Sequence, residues 1–363
     1  MAGAIRVLVV DDSAFARQLL SRLLSTDPAI AVVGVAADVS NAWRKIAALQ
    51  PDVITLDVSM PDVDGLTFLA ELMRRHPLPV VMVSALTEHG CATTLRALEL
   101  GAIDFVTKPR LDSDGRLEAI AAELVQKVKV AAQARMVPPG GGRAPAAPWR
   151  RLGQIAPKAV VAIGASTGGP AAVAAVLAAL PADAPGIVIV QHMPERFTGP
   201  FAERLDQCCA LAVKQANDGD LVHAGRVLLA PGDAQVELVR DGPQYHVRVF
   251  HGPRVSGHRP SVDVLFHSVA RCAGPNALGV LMTGMGADGA VGLLAMHRAG
   301  ARTLAQDQAT AAIYGMPREA VALGAADASV ALDRIAPEII AWAVRVAGRS
   351  PGVAMAAPVA ARR

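Results

Sequence analysis

Aromatic residues are scarce in this chain of 363 residues, at 3%. The 52% that is hydrophobic is therefore carried mainly by Ala, Val and Leu, as suits tightly packed helix-on-sheet layers. Cysteine is rarer still. Cys91, Cys208, Cys209 and Cys272 share no C-x-x-C or Cys/His spacing, which argues against a zinc site or a disulfide framework and for small buried hydrophobes in a reducing compartment. No uninterrupted apolar run reaches the roughly 18 residues that a membrane span needs. The start, Met1 to Arg6, moves directly into a strand, so no signal peptide is expected. The formal net charge of +3 is nearly neutral for this length and forms no basic stripe, so nucleic acid is not implied. These absences leave a cytoplasmic chain that is not membrane-inserted, and its length suggests two domains.

What is present is organised around one stretch. Val160 to Ile163 reads as a short strand, Gly164-Ala165-Ser166-Thr167-Gly168-Gly169 as a glycine-bounded turn, and Pro170 as the opening of a helix. Such an elbow displays the Ser166 hydroxyl clear of the backbone while the following amides point at its reaction partner. Two later apolar strands end in polar groups. Ile187 to Gln191 runs into His192, and Leu278 to Thr283 runs into a loop carrying Asp288. Side by side in a parallel sheet, these strands bring Ser166, His192 and Asp288 to the carboxyl edge as nucleophile, base and orienter. Asp307 also follows a short strand; Gly286 and Gly289 around Asp288 favour the latter by permitting a tight loop. The other histidines, His258 among them, fall on loops, a hairpin or helices and read as structural or exposed. The order Ser, His, Asp differs from the Ser, Asp, His of the α/β-hydrolase fold.

The N-terminal third repeats another pattern. Strand-like runs at 5–10, 32–37, 53–57, 80–84 and 104–106 alternate with helix-length segments, giving a small doubly wound sheet. Asp11, Asp12 and Asp57 stand at strand ends, and so dense a cluster of hard oxygen ligands suits Mg²⁺. Lys108 and Ser84 end neighbouring strands. Together the five groups can hold a phosphoryl group on Asp57, its charge neutralised by Mg²⁺ and Lys108 and one oxygen bonded by Ser84. Residues 136–148 have linker composition, and 236–250 read as a β-hairpin turning at Asp241-Gly242.

Val9-Val10-Asp11-Asp12-Ser13, Asp57 to Gly65, Ser84-Ala85 and Thr107-Lys108-Pro109 resemble the receiver domain of two-component response regulators. The resemblance implies phosphorylation of Asp57 by a chemotaxis histidine kinase, Mg²⁺ on Asp11, Asp12, Asp57 and the Ser59 carbonyl, and Phe105 as the switch aromatic. Ser59 stands where related sequences often carry Glu; as the ligand is a main-chain oxygen, little consequence is expected. Gly164 to Pro170, Gln191 to Pro194, Ala230-Pro231-Gly232, Arg259 to Asp263 and Met282 to Gly289 resemble the catalytic domain of chemotaxis protein-glutamate methylesterases. By that similarity Ser166, His192 and Asp288 are catalytic and the substrates are methyl-accepting chemoreceptors, with glutamine deamidation as a second activity. The amides of Thr167 and Met285 are candidate oxyanion donors. No cofactor is expected for the ester chemistry.

The expected fold class is thus α/β with two doubly wound domains. Residues 1–125 form a five-stranded parallel, flavodoxin-like receiver and 157–349 a Rossmann-like, mostly parallel catalytic sheet with a β-hairpin. Residues 126–156 are the helix end and a flexible linker, and 350–363 a disordered tail. A rival reading is a non-catalytic signalling module in which Gly164 to Gly169 binds an anion.

Overall fold

The computed structural model describes residues 3–58, 60, 64–84, 88–108, 116–136 and 158–348. Ser59, most of the linker and the tail lie outside these residues.

In the N-terminal third, strands β1 (Ile5–Val10), β2 (Ile30–Ala36), β3 (Val53–Asp57), β4 (Val80–Ser84) and β5 (Asp104–Thr107) alternate with helices α1 (Ala14–Leu24), α2 (Val39–Leu49), α3 (Gly65–Arg75), α4 (Glu88–Glu99) and α5 (Arg116–Ala131). The strands form one parallel sheet in the order β2-β1-β3-β4-β5. The central strands β3 (VITLD) and β4 (VVMVS) are buried throughout, as a sheet covered by helices on both faces requires. Helix starts follow capping chemistry: Ser13, Asp38 and Asp64 each accept a backbone N–H of the helix that follows.

The second half contains β6 (Val160–Ala165), α6 (Gly169–Ala178), β7 (Gly186–Gln191), α7 (Glu195–Cys208), β8 (Ala212–Gln215), β9 (Leu221–Val222), β10 (Arg226–Leu229), β11 (Gln235–Asp241), β12 (Gln244–Phe250), α8 (Val262–Cys272), β13 (Ala277–Leu281), α9 (Ala290–Arg298), β14 (Arg302–Gln306), α10 (Met316–Ala322), β15 (Ala328–Val330) and α11 (Leu332–Ala347). Seven strands form a sheet in the order β15-β14-β13-β6-β7-β10-β8, with every pair parallel. The expected hairpin is β11 and β12, and it is joined by β9 in a separate antiparallel sheet of three strands. β8, β9 and β15 are short and carry little hydrophobic pattern, which is why the sequence reading passes over them.

From β6 the chain winds one way through β7 to β8, then returns across β6 to build β13, β14 and β15 on the other side. The crevice at that reversal, outside the carboxyl ends of β6, β7 and β13, is where open α/β sheets bind their ligands.

The two halves are packed together. Phe105, the second residue of β5, lies against Phe197 of α7 with ring centroids 4.2 Å apart, and both belong to one contiguous buried apolar cluster. Arg204 of α7 reaches Glu99 of α4 through two hydrogen bonds of 2.8 and 3.0 Å.

Candidate active site and phosphoacceptor site

Two polar sites lie at the carboxyl edges of the two sheets. In the second, β6 and β7 pair in a register that sets Ala165 opposite Gln191, so Ser166 and His192 are the next residue on neighbouring strands. Parallel strands lie about 4.8 Å apart, which brings the two residues together at one rim. The His192 amide donates to the Ala165 carbonyl (3.0 Å) and the Ser166 amide to the Thr283 carbonyl at the end of β13 (3.0 Å). Gln191, fully buried, donates from Nε2 to both the Ser166 carbonyl (2.9 Å) and the His192 carbonyl (3.1 Å). Thr283 accepts from Ile313 N and donates to the Thr167 carbonyl (2.9 Å), clamping the turn from the other side. Gly168 takes a left-handed φ of +74° as the N-cap of α6, a conformation a side chain would strain.

Asp288 lies in the loop between β13 and α9 and is buried. Its Oδ2 is 2.8 Å from His192 Nε2, so this ring nitrogen carries the proton of the pair. His192 Nδ1 is buried and has no hydrogen-bond partner among the described residues. It is therefore the nitrogen with a free lone pair, and Ser166 lines the same small cavity. Burial pushes the Asp288 carboxyl upward, but His192, the Ser261 hydroxyl and the Val262 amide outweigh it and hold the group below the usual carboxylate range. Asp307, the other candidate, spends its carboxylate elsewhere. Its Oδ1 accepts from Thr310 N and Oγ1 and stabilises its own turn.

The structure departs from the sequence reading at His258. Its ring stacks on that of His192, with centroids 3.7 Å apart and planes 5° from parallel, so it is neither merely exposed nor remote. Burial first and the His192 ring second push its pKa from 6.5 to about 4, so at neutral pH it is an uncharged wall against the other imidazole. No local motif marks this; 66 residues of chain separate the two rings, and only the loop after β12 brings them together. Gln191 and Thr283 were likewise invisible as positioning groups, because each looks like the last polar residue of an apolar strand.

Elements of the N-terminal half lie over Ser166. Asp104 accepts a hydrogen bond from the Thr167 hydroxyl (2.8 Å), and the Ile103 carbonyl accepts from the Gly168 amide (3.2 Å). Met285 is 41% exposed, and its Sδ lies 3.0 Å from Gln126 Nε2 of α5. Lys127 binds both Asp104 (3.1 Å) and Glu123 (3.0 Å) and lies over the Phe105 ring. Burial lowers its pKa, but the two carboxylates more than reverse this. The space left beside Ser166, lined by Leu98, Ile103, Asp104 and Phe105 from one half and by the elbow and His192 from the other, is about 10 Å³, room for about one water.

At the first sheet, Asp11, Asp12 and Asp57 offer carboxylate oxygens that all lie within 4.8 Å of one another. Lys108 Nζ bridges Asp11 Oδ2 (2.9 Å) and Asp57 Oδ2 (2.7 Å). Burial draws the Lys108 pKa down, yet its bonds to Asp57 and Asp11 raise it above the usual value, so it stays a cation. Three carboxylates against one ammonium leave excess negative charge in a largely buried cup, which fits a divalent cation with oxygen ligands. The Ser84 hydroxyl donates to the Gly90 carbonyl (3.3 Å) in this state. Ser59, whose carbonyl is implied as a further ligand, lies outside the described residues.

Comparison with known proteins supplies the same division. A family model described as CheB methylesterase matches residues 161–339, and one described as response regulator receiver domain matches residues 7–120. The protein-glutamate methylesterase/protein-glutamine glutaminase 2 of Pseudomonas aeruginosa is 52% identical over 94% of this chain and 97% of its own. A protein of the same name, numbered 5, from Anaeromyxobacter dehalogenans is 52% identical over 93% of this chain and 97% of its own. Among solved structures, the CheB methylesterase catalytic domain of Thermotoga maritima is 34% identical and covers 50% of this chain and 97% of its own, with a TM-score of 0.49. The response regulator domain of Thermotoga maritima CheB is 44% identical over 36% of this chain and 98% of its own, with a TM-score of 0.33.

Proposed function

The chain belongs to the family of CheB methylesterases that carry an N-terminal response regulator receiver domain, and from that membership we propose that it is a phosphorylation-regulated protein-glutamate methylesterase and protein-glutamine glutaminase of chemotaxis adaptation. In this reading residues 1–125 are the receiver, 157–349 the esterase, and Ser166, His192 and Asp288 the reacting groups. The observation that carries it is the 2.8 Å bond between His192 and Asp288 on the rim that also holds Ser166.

His192 Nδ1 takes the Ser166 proton as Oγ attacks the ester carbonyl of a methylated glutamate. Asp288 fixes the tautomer through Nε2 and stabilises the imidazolium. The tetrahedral intermediate collapses, the proton passes to the departing methoxide, and methanol leaves a glutamyl-serine ester. Water then attacks with His192 again as base, and free glutamate and Ser166 are regenerated. The amides of Thr167 and Met285 are the candidate oxyanion donors, each worth about 2.7–4 kcal/mol in comparable sites. Attack on a glutamine amide follows the same course with ammonia leaving. The substrate side chain projects from a chemoreceptor helix, which calls for a shallow open groove rather than the closed space of this state.

The receiver supplies the control. Asp57 is the phosphoacceptor and a histidine kinase the donor; Asp11, Asp12 and Asp57 would hold Mg²⁺, which neutralises phosphoryl charge when bound. Unphosphorylated, β5 and α5 seat Asp104 and Phe105 over the entrance. A phosphoryl group on Asp57 gives Lys108 and the Ser84 hydroxyl a new partner one strand from Phe105, and weakens that seat. A coupling of about 1–3 kcal/mol changes activity roughly 5- to 150-fold.

A fluorophosphonate probe tests the chemistry. It should label Ser166 in phosphodonor-treated protein and fail to label His192→Ala, and Ser166→Ala should release no methanol from methyl-labelled chemoreceptor membranes. Full methanol release by Ser166→Ala would refute the assignment.

A further inference from the structure

Helices α8 and α9 lack side-chain caps of their own: Ser261, at the N-cap of α8, and Gly289, at that of α9, make no such bond. Each is capped by the other's neighbour instead. Asp288, just before α9, accepts from the first amides of α8, Val262 N to Oδ2 (2.7 Å) and Asp263 N to Oδ1 (3.1 Å). Asp263, in the first turn of α8, accepts from Gly292 N in the first turn of α9 (2.7 Å). This reciprocal clasp demands close approach, and a Cβ at Gly292 would come within 2.7 Å of Phe266 Cβ and 3.1 Å of Asp263 Cα.

With its own helix amides capped elsewhere, Ser261 is free to serve Asp288. Its hydroxyl donates to Oδ1 at 2.7 Å, and the residue is fully buried. Ser261 is held in turn by Gln235, whose Oε1 accepts the Ser261 amide (2.9 Å) and whose Nε2 donates to the carbonyls of Pro253 and His258. Asp288 thus accepts four hydrogen bonds: two at Oδ1, from Ser261 and Asp263, and two at Oδ2, from Val262 and His192. Two bonds on the far oxygen fix the carboxylate plane, and with it the direction in which Oδ2 meets the imidazole. The α8 N-terminus adds positive potential that favours the anion.

We infer that Ser261 is a positioning residue for the hydrolysis, acting through Asp288 to set the tautomer and orientation of His192. This rests on the proposed roles of Ser166, His192 and Asp288. The neighbouring Asp263 fits the same arrangement: burial and the Asp288 charge push its carboxyl upward, whereas the bonds to His192 and Ser261 hold that of Asp288 down.

The test uses the full chain treated with a phosphodonor and Mg²⁺, with methanol release from methyl-labelled chemoreceptor membranes as the readout. Ser261→Ala should lower kcat roughly 10- to 100-fold, the effect of losing one charge-assisted bond in a buried site. KM should hold within about twofold, because no substrate contact is lost. Ser261→Thr, which keeps the hydroxyl, should recover most of kcat, and Ser261→Cys should fall between. Added to Asp288→Asn, Ser261→Ala should cost about twofold or less, since the two act as one unit. Unchanged kcat in Ser261→Ala, or its full loss recurring on top of Asp288→Asn, overturns the inference. If Ser261→Ala does not fold, the Cys variant decides by the same criteria. Full activity in Asp288→Asn would instead strike the underlying triad reading, so the two failures are distinguishable.

Discussion

Replacing Asp104 by alanine should switch the unphosphorylated enzyme partly on. Asp104 accepts from the Thr167 hydroxyl at 2.8 Å, next to the candidate nucleophile, and its side chain is only 14% exposed. A hydrogen bond to a charged acceptor contributes about 1.5–3 kcal/mol, and when the receiver leaves, both partners recover water, so the low end applies. A loss of about 1.5 kcal/mol in docking is close to tenfold in the open fraction. The basal rate should therefore rise about tenfold, limited only by the rate of the fully open enzyme. Lys127 keeps Glu123 at 3.0 Å and the Phe105 carbonyl, so the receiver itself stays folded. Glu99→Gln provides the internal comparison. Its partner Arg204 is 36% exposed at the domain boundary, and a screened pair of that kind contributes about 0.2–1 kcal/mol, at most about fivefold. Initial rates of methanol release, with and without phosphodonor, measure both. The stimulated rates should barely change, so the activation ratio shrinks as the basal rate grows. A basal rate that stays level or falls in Asp104→Ala, or a larger effect from Glu99→Gln, would refute the idea that this seat restrains the enzyme.

Two more predictions concern titration and the phosphoacceptor. Asp57→Asn and Lys108→Ala should each abolish stimulation by a phosphodonor while leaving basal release within about twofold, because neither touches the Ser166 rim; stimulation persisting in Asp57→Asn would place the phosphoryl group elsewhere. His258 has its pKa lowered from 6.5 to about 4 in the folded state, so the unfolded chain binds the proton first on acidification. Its contribution to stability is complete above pH 6.5 and is lost as pH falls toward 4. His258→Phe keeps the stacked ring without the titration, so urea midpoints should decline less between pH 7 and pH 5 than in the parent protein, and an equal decline would count against this account.

Much of the site was legible because its groups terminate strands. Ser166, His192, Asp11, Asp57 and Lys108 each follow an apolar run, and a parallel sheet collects such ends at one edge. Asp288 was harder, being seven residues beyond Leu281 in a glycine-rich loop, while Asp307 directly follows the neighbouring strand β14. The bond that distinguishes it from Asp307 is a tertiary fact. His258, Gln235 and Ser261 had no signal of their own. Each acts by touching a residue far away in sequence, and no spacing rule encodes that.

Periodicity and the glycine-bounded turn, both local properties of the chain, were enough to set two α/β sheets, the elbow that displays Ser166 and the acidic cup around Asp57. Only packing decided which carboxylate meets His192, how α8 and α9 cap one another around it, and that Asp104 and Phe105 close the entrance. Those outcomes depend on distances between segments as much as 100 residues or so apart, and they are fixed by how the helices and sheets bury their faces, a global minimum that no short stretch specifies.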